Sequence, residues 1–370
     1  MILKMDSIIK NALNAEAEKP SVVNKDDEEL MAILKQHQAR IKVVGVGGGG
    51  NNTLDRISEI GVEGAKIIAI NTDAQDLIET KADKKILIGK ELTRGLGAGA
   101  LPKVGEEAAK ESESEIKNIL ADSDMIFITC GLGGGTGTGA APVVAELAKK
   151  SGALVVGVVT VPFSMEGGRR YDNAMIGLER MEKHVDTLIV IPNEKLLEIA
   201  PNLPLHTAFK LADEVLTNAV KGITELVTKN GLINLDFADI KNVMTGAGMA
   251  MIGLGEADSE NRAEESVERA LNNPLLDVDL KNATGALVNV TGGSDMTLED
   301  ARRIVGKVAE TLEEDAKIIW GAQIMEDLNK VIKTMVVITG VKSDQIRGKK
   351  NYEANRNENV DEELGLEFIR

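Results

Sequence analysis

The sequence predicts an α/β protein: a Rossmann-like parallel-sheet domain, a long central helix, and a smaller α/β C-terminal domain with a four-stranded sheet. Three observations carry this. The apolar runs in the first half are short and β-rich without alternating, the pattern of strands buried on both faces. Helical stretches separate most of them, which is the βαβ rhythm of an open parallel sheet. A chain of 370 residues is also longer than one compact core requires.

Residues 1–40 ("DSIIKNAL", "EELMAILKQHQ") are polar and charged with weak helical periodicity, and read as an N-terminal extension. The strand candidates of the first domain, 41–204, are "IKVVGVG" (41–47), "AKIIAIN" (65–71), "KKILIG" (84–89), "DMIFITC" (124–130), "ALVVGVVTVPF" (153–163) and "TLIVIPN" (187–193). Helices such as "EEAAKESESEIKNILA" and "APVVAELAKKSG" lie between them. A long amphipathic helix follows at 205–230, with Lys229 suited to its C-terminus and Gly231 to a left-handed cap. The second domain, 231–342, offers strands at "GMAMIGLG", "GALVNVTGG", "AKIIWGAQIM" and "TMVVITGV", with helices near 260–272 and 297–312. The charged end, 343–370, reads as a flexible tail.

Composition narrows the function. A net charge of −16 argues against nucleic acid as the main partner, since phosphate neutralisation needs a basic face. The single cysteine, Cys130, permits no intrachain disulfide and fits a reducing compartment; it reads as a small buried residue. His37, His184 and His206 match no zinc spacing. The N-terminus lacks a signal-peptide core and no apolar run is long enough for a transmembrane segment, so a cytoplasmic location is expected.

The glycine-rich segments carry the chemistry. "GVGGGG" (45–50) follows the first strand and satisfies G-x-G-x-x-G, with Asp73 where a ribose-binding acid would sit. A run of four glycines meets that pattern easily, and a tight strand-to-helix turn explains it equally. "GLGGGTGTG" (131–139) follows the fourth strand, with Pro142 expected in the first turn of the next helix. Backbone N–H groups at such a helix start cradle phosphates, and no lysine follows as a Walker loop demands. "TRGLGAGALP" (93–102) supplies a third loop on the same crevice. Three loops favour a nucleoside triphosphate over a dinucleotide.

At "GGGTGTG" the chain resembles the tubulin/FtsZ superfamily of GTPases. "GVGGGGNN", "MEGGRRYDNA" (165–174) and "NLDFADI" (234–240) resemble further motifs of that family in the same order, and the likeness runs from about Ile41 to Val341. The resemblance implies GTP and GDP as ligands, with Mg2+. It implies that Gly47, Gly48, Gly49, Gly50, Asn51 and Asn52 lie at the α- and β-phosphates, and that Ala98 and Gly99 lie near the γ-phosphate. Gly133, Gly134, Gly135, Thr136, Gly137 and Thr138 would wrap the phosphates. Glu166 and Arg170 would hold the ribose end, Asn193 and Asp213 would read guanine, and Phe209 would stack on it. Without the resemblance, Asp213 is a solvated helix position, Asn193 a helix N-cap, and Glu166–Arg170 a surface ion pair.

Hydrolysis needs a group that orients water, and the glycine loops hold none. The resemblance puts Asn234, Asp236 and Asp239 in the catalytic loop. Read locally, Asp236 is an N-cap and Asp239 its capping-box partner. The loop lies at the far end of the long helix, too far from the cleft, so its acids would serve a neighbouring subunit; the resemblance implies head-to-tail stacking into a filament. The family further implies a cell-division ring at mid-cell and membrane-tethering partners. Leu364, Leu366, Phe368 and Ile369 in the tail are candidates for docking such a partner. Two other readings remain: a nicotinamide-dependent oxidoreductase built on "GVGGGG…INTD", and a polymerising paralogue that serves cell shape.

Overall fold

The computed structural model describes residues 39–200, 204–229, 232–233, 235–276, 280 and 283–341. Residues 1–38 of the expected extension, the tail with its apolar chain end, Gly231 and Asn234 lie outside the described residues. In chain order the first half contains β1 (Ile41–Val46), α1 (Gly47–Ile60), β2 (Ala65–Asn71), α2 (Ala74–Glu79), β3 (Lys84–Leu87), α3 (Lys90–Thr93), α4 (Pro102–Glu111), α5 (Glu113–Leu120), β4 (Met125–Gly131), α6 (Thr136–Lys150), β5 (Leu154–Val161), α7 (Gly168–His184), β6 (Thr187–Pro192) and α8 (Asn193–Ile199). Then come α9 (Leu205–Thr228), α10 (Phe237–Met244), β7 (Gly248–Ala257), α11 (Arg262–Leu271), β8 (Gly285–Gly292), α12 (Leu298–Thr311), β9 (Lys317–Ile324) and β10 (Ile332–Thr339).

The strands order as β3-β2-β1-β4-β5-β6-β7-β10-β8-β9. The first six are parallel. The four-stranded part is not a detached sheet: β6 pairs with β7 over three residues, Thr187↔Gly248 to Ile189↔Ala250. β10 runs antiparallel between β7 and β8, and β9 lies parallel to β8. Although β9 and β10 are neighbours in sequence, they do not pair. β10 is almost wholly buried and takes the interior place, while the half-covered β9 takes the edge.

Consecutive strand residues enter opposite cores, which is why the runs do not alternate. Val44, Ile128, Val155 and Val159 pack on the face covered by α6. Val43, Phe127, Val156 and Val158 pack on the other face, against Leu216, Ala219, Val220 and Ile223 of α9. α9 has 24 residues and is therefore about 36 Å long. It stops at Thr228. Lys229 is extended there and its ammonium pairs with Glu225 at 2.8 Å, so the cation serves the helix end and no left-handed residue follows directly.

Two helix boundaries differ from the sequence reading. The stretch 106–121 is two helices, broken at Ser112, whose hydroxyl accepts the Gly89 N–H at 3.2 Å. α6 begins at Thr136, inside the glycine run, so Pro142 stands in its second turn and removes the N–H that would bond the Thr138 carbonyl. The glycines there are packing requirements. A Cβ on Gly139 would lie 1.9 Å from the Pro102 carbonyl oxygen, and one on Gly105 would lie 2.4 Å from that of Gly135. Backbone cannot yield as a side chain does. Gly139→Ala is expected to destabilise the protein by about 2–3 kcal/mol in urea unfolding. By contrast, a Cβ on the exposed helical Gly306 meets nothing within 4 Å, so Gly306→Ala should stabilise by about 0.5–1 kcal/mol.

Candidate functional site

A cleft of about 370 Å³ opens at the C-terminal ends of β1, β4, β5 and β6. β1 and β4 are the strands at which the chain order of the sheet reverses, the usual ligand crevice of open α/β sheets. Two helix N-termini meet on its floor: a Cβ on Gly47 of α1 would lie 2.8 Å from the Gly137 nitrogen of α6. Neither helix has a side-chain cap or an acid in its first turn. Their leading N–H groups thus remain available to an anion, and both positive helix ends favour one.

The predicted residues divide into those that line the cleft and those that shape it. Gly47, Gly48, Gly49, Asn52, Gly134, Gly135, Thr136 and Gly137 line the floor. At Gly48 and Gly134 a Cβ would meet nothing within 4 Å, so any side chain would project into open space. Gly50, Asn51, Ala98, Gly99, Gly133 and Thr138 do not line it. Gly50 is pressed against the Thr129 carbonyl, where a Cβ would stand 2.5 Å away. Asn51 is buried and donates to Asp76 at 2.7 Å. The Thr138 hydroxyl accepts the Gly133 N–H at 2.9 Å and so holds the loop closed instead of facing the cleft. Ala98 packs behind Gly135, and Gly99 is exposed on the next loop.

At the opposite end, Glu166, Arg170, Asn193, Phe209 and Asp213 line the wall. Arg170 donates to Glu166 at 2.6 Å, and Glu166 also accepts the Phe163 N–H at 2.9 Å. The ion pair is therefore real and sits on the rim. Phe209 is 39% exposed, held edge-on by Phe163 with ring centroids 5.3 Å apart. Asn193 is not an N-cap: Pro192 takes that place, and the buried Asn193 Oδ1 has no partner among the described residues. Asp213 is half-buried rather than solvated. Burial pushes its carboxyl up to about 6, against the opposing pull of Thr53 and Arg56. An unpartnered amide oxygen and a desolvated carboxylate on one wall suit a ligand edge rich in N–H donors.

The acids of the far loop stand elsewhere. Asp236 caps α10 by accepting the Ala238 N–H at 3.0 Å. The reciprocal half of the expected capping box is not made: the Asp239 carboxylate has no partner among the described residues, and both acids are exposed. Helical rise puts Thr228 about 22 Å beyond Asp213 along α9, and α10 begins after that. One chain does not bring its acids to its own cleft.

Cleft residues that the sequence reading missed are Leu132, Thr160, Pro162, Ala212 and Leu216. They are apolar or small, and apart from Leu132, inside "GLGGGTGTG", they stand in no motif. Thr72 was also missed; its hydroxyl lies 2.7 Å from that of Thr136. The neighbouring "NTD" triplet was the available signal.

The sequence model of the Tubulin/FtsZ family, GTPase domain, matches residues 40–201, and that of the FtsZ family, C-terminal domain, matches 248–342. The chain belongs to the tubulin/FtsZ GTPase family. Among its FtsZ relatives, Cell division protein FtsZ 1 of Methanocaldococcus jannaschii is 65% identical over 318 residues, 86% of this chain and 87% of that one. Cell division protein FtsZ of Methanothermobacter thermautotrophicus is 56% identical over 374 residues, 99% and 98% of the two chains. Of solved structures, an empty M. jannaschii FtsZ dimer superposes with a TM-score of 0.82 at 64% identity, covering 86% of this chain and 93% of that one. CetZ2 of Haloferax volcanii shares the fold, with a TM-score of 0.73 at 21% identity and 86% and 99% coverage.

Membership of the FtsZ family removes the oxidoreductase reading. The structure supplies the physical reason: Asp73 caps α2, accepting the N–H groups of Gln75 at 2.9 Å and Asp76 at 3.2 Å, and is not a ribose ligand in waiting. Cys130 is fully buried, and burial pushes its thiol up to about 12, which leaves it inert.

Proposed function

We propose that the chain is a GTP-dependent polymerising GTPase of the cell-division ring, in which head-to-tail subunits complete one another's active sites. The observation that carries this reading is the length of α9 between a cleft fitted to a nucleotide and an acid pair that cannot reach it. The floor would hold the phosphates through the first N–H groups of α1 and α6. Asp213 and Asn193 would accept from the N1–H and N2–H of guanine, donors that adenine lacks, with Phe209 against the ring. Glu166 and Arg170 would meet the ribose. Asp236 and Asp239 of the next subunit, with Asn234, would orient the attacking water.

Among the described residues no three His, Cys, Asp or Glu side chains converge as a metal site. Mg2+ would therefore be held chiefly by phosphate oxygens and water, where it supplies charge neutralisation. The same reading treats 41–204 as the nucleotide domain and 231–342 as the part that presents the acids to a neighbour. It places the protein in the cytoplasm at mid-cell, with division partners meeting the tail. No described helix is long and apolar enough to cross a membrane. The intact acid pair favours a hydrolysing filament over a purely structural one.

Light scattering tests the reading. GTP with Mg2+ should produce a rise that decays as GTP is consumed, while GDP and NAD produce none. An equal rise with GDP or NAD overturns it.

A further inference from the structure

Asp186 belongs to neither the cleft nor the acid pair. It stands between α7 and β6 and is 2% exposed. Donors surround its carboxylate: the Lys149 ammonium from the last turn of α6 and the Gly246 N–H at 3.3 Å meet Oδ1, and the Val155 N–H meets Oδ2 at 3.0 Å. Its own carbonyl accepts the Gly248 N–H at 3.0 Å. The next hydroxyl, that of Thr187, donates to the carbonyl of Met244, the last residue of α10. Residues 186 and 187 thus grip the chain on both sides of the exit from α10.

We propose that Asp186 is a positioning residue for GTP hydrolysis: by tying the C-terminal end of α10 to the C-terminal end of α6, it fixes where Asp236 and Asp239 stand on the face offered to the next subunit. The inference rests on the reading that hydrolysis is completed in trans. α10 has eight residues, too few to hold itself as a helix in water. Its buried Ile240, Val243 and Met244 seat one side, and its acids project from the exposed end. Along the helix Asp239 lies about 8 Å and Asp236 about 12 Å from Met244, so slack at the exit becomes displacement at the carboxylates. A carboxylate suits the position because every donor needs an acceptor. An amide would turn N–H groups toward either the Val155 N–H or the Lys149 and Gly246 donors. α6 carries the phosphate cradle at its other end, so one carboxylate links the two helices that serve the two halves of the reaction.

The test uses the full chain with Asp186→Asn. GTP affinity should be unchanged, while kcat falls about 10- to 100-fold. Mixing then locates the defect. With Asp213→Ala, which lacks a guanine-reading cleft but keeps a sound α10, the Asp186→Asn cleft meets an intact acid pair and turnover should recover. With Asp239→Ala, no interface is sound and turnover should stay low. A wild-type kcat, or failure to recover with Asp213→Ala, overturns the proposal. The mixture of Asp213→Ala with Asp239→Ala is the control: if it stays inactive, the trans reading itself fails. Should Asp186→Asn not fold, Thr187→Val removes only the hydroxyl on Met244 and enters the same mixtures. The same pattern with a smaller loss is expected, and wild-type turnover overturns the proposal.

Discussion

Asp239→Ala protein will bind GTP with unchanged affinity and hydrolyse it at least about 100-fold more slowly. The affinity holds because Asp239 is far from its own cleft, at the exposed start of α10. The rate falls because nothing else near that carboxylate replaces it. Asp236 is engaged with the Ala238 N–H, while Asp239 is the acid of the pair with no partner among the described residues. Removing Asp239 takes away a group that acts only in the reaction and leaves the helix cap in place. Asp236→Ala should combine a rate loss with about 1 kcal/mol of lost stability, because it also removes the cap. Single-turnover hydrolysis beside equilibrium GTP binding separates these outcomes. Full activity of purified Asp239→Ala would overturn the assignment.

Asp213→Asn is expected to weaken GTP binding about a thousandfold and to make the empty protein more stable. Both effects have one cause. Burial holds the carboxyl near 6 instead of 3.8, so in the folded protein it keeps its proton more tightly than in the unfolded chain. Stability contributed by this group is greatest below pH 3.8 and declines as pH rises to about 6. At pH 7 the ionised form costs about 3 kcal/mol, which asparagine avoids. Guanine recognition needs that ionised form, since only a carboxylate accepts from both N1–H and N2–H. Wild-type GTP affinity should accordingly fall about tenfold per pH unit below about pH 6, and this dependence should vanish in Asp213→Asn. Calorimetric titration with GTP across pH, with thermal unfolding of the empty protein, checks both arms. A variant that loses stability, or a wild-type affinity flat from pH 7 to pH 5, would sink the argument.

Strand positions were legible because each strand feeds two cores. Val43 and Val44, or Val155 and Val156, point to opposite faces, and a continuous apolar run results. The first two glycine loops were legible as turns opening on the crevice at the strand ends, yet their helical character was not. Gly47 and Thr136 begin helices because backbones press together at Gly50, Gly137 and Gly139, and propensity carries no record of such contacts. The sequence was equally silent on the contacts these loops make with themselves, the Gly133 N–H on the Thr138 hydroxyl and Ala98 behind Gly135. Asp213 reads as an exposed helix residue, but folding leaves it half-buried on the cleft wall with Phe209 and Leu216. Asp186 left no mark in the sequence at all, because its partners come from positions 149, 155 and 246. The join between β6 and β7 was equally hidden, being only three residue pairs wide.

The interior place of β10 bears on how the chain is made. Among the described strands it is the last to leave the ribosome, yet it fills the gap between β7 and β8. Until about residue 339 has emerged, a nascent chain carries two open strand edges, each lined with unsatisfied N–H and C=O groups. The first six strands can close their sheet during synthesis, but this half cannot. Its completion waits for β10, and until then those edges can pair with another nascent copy.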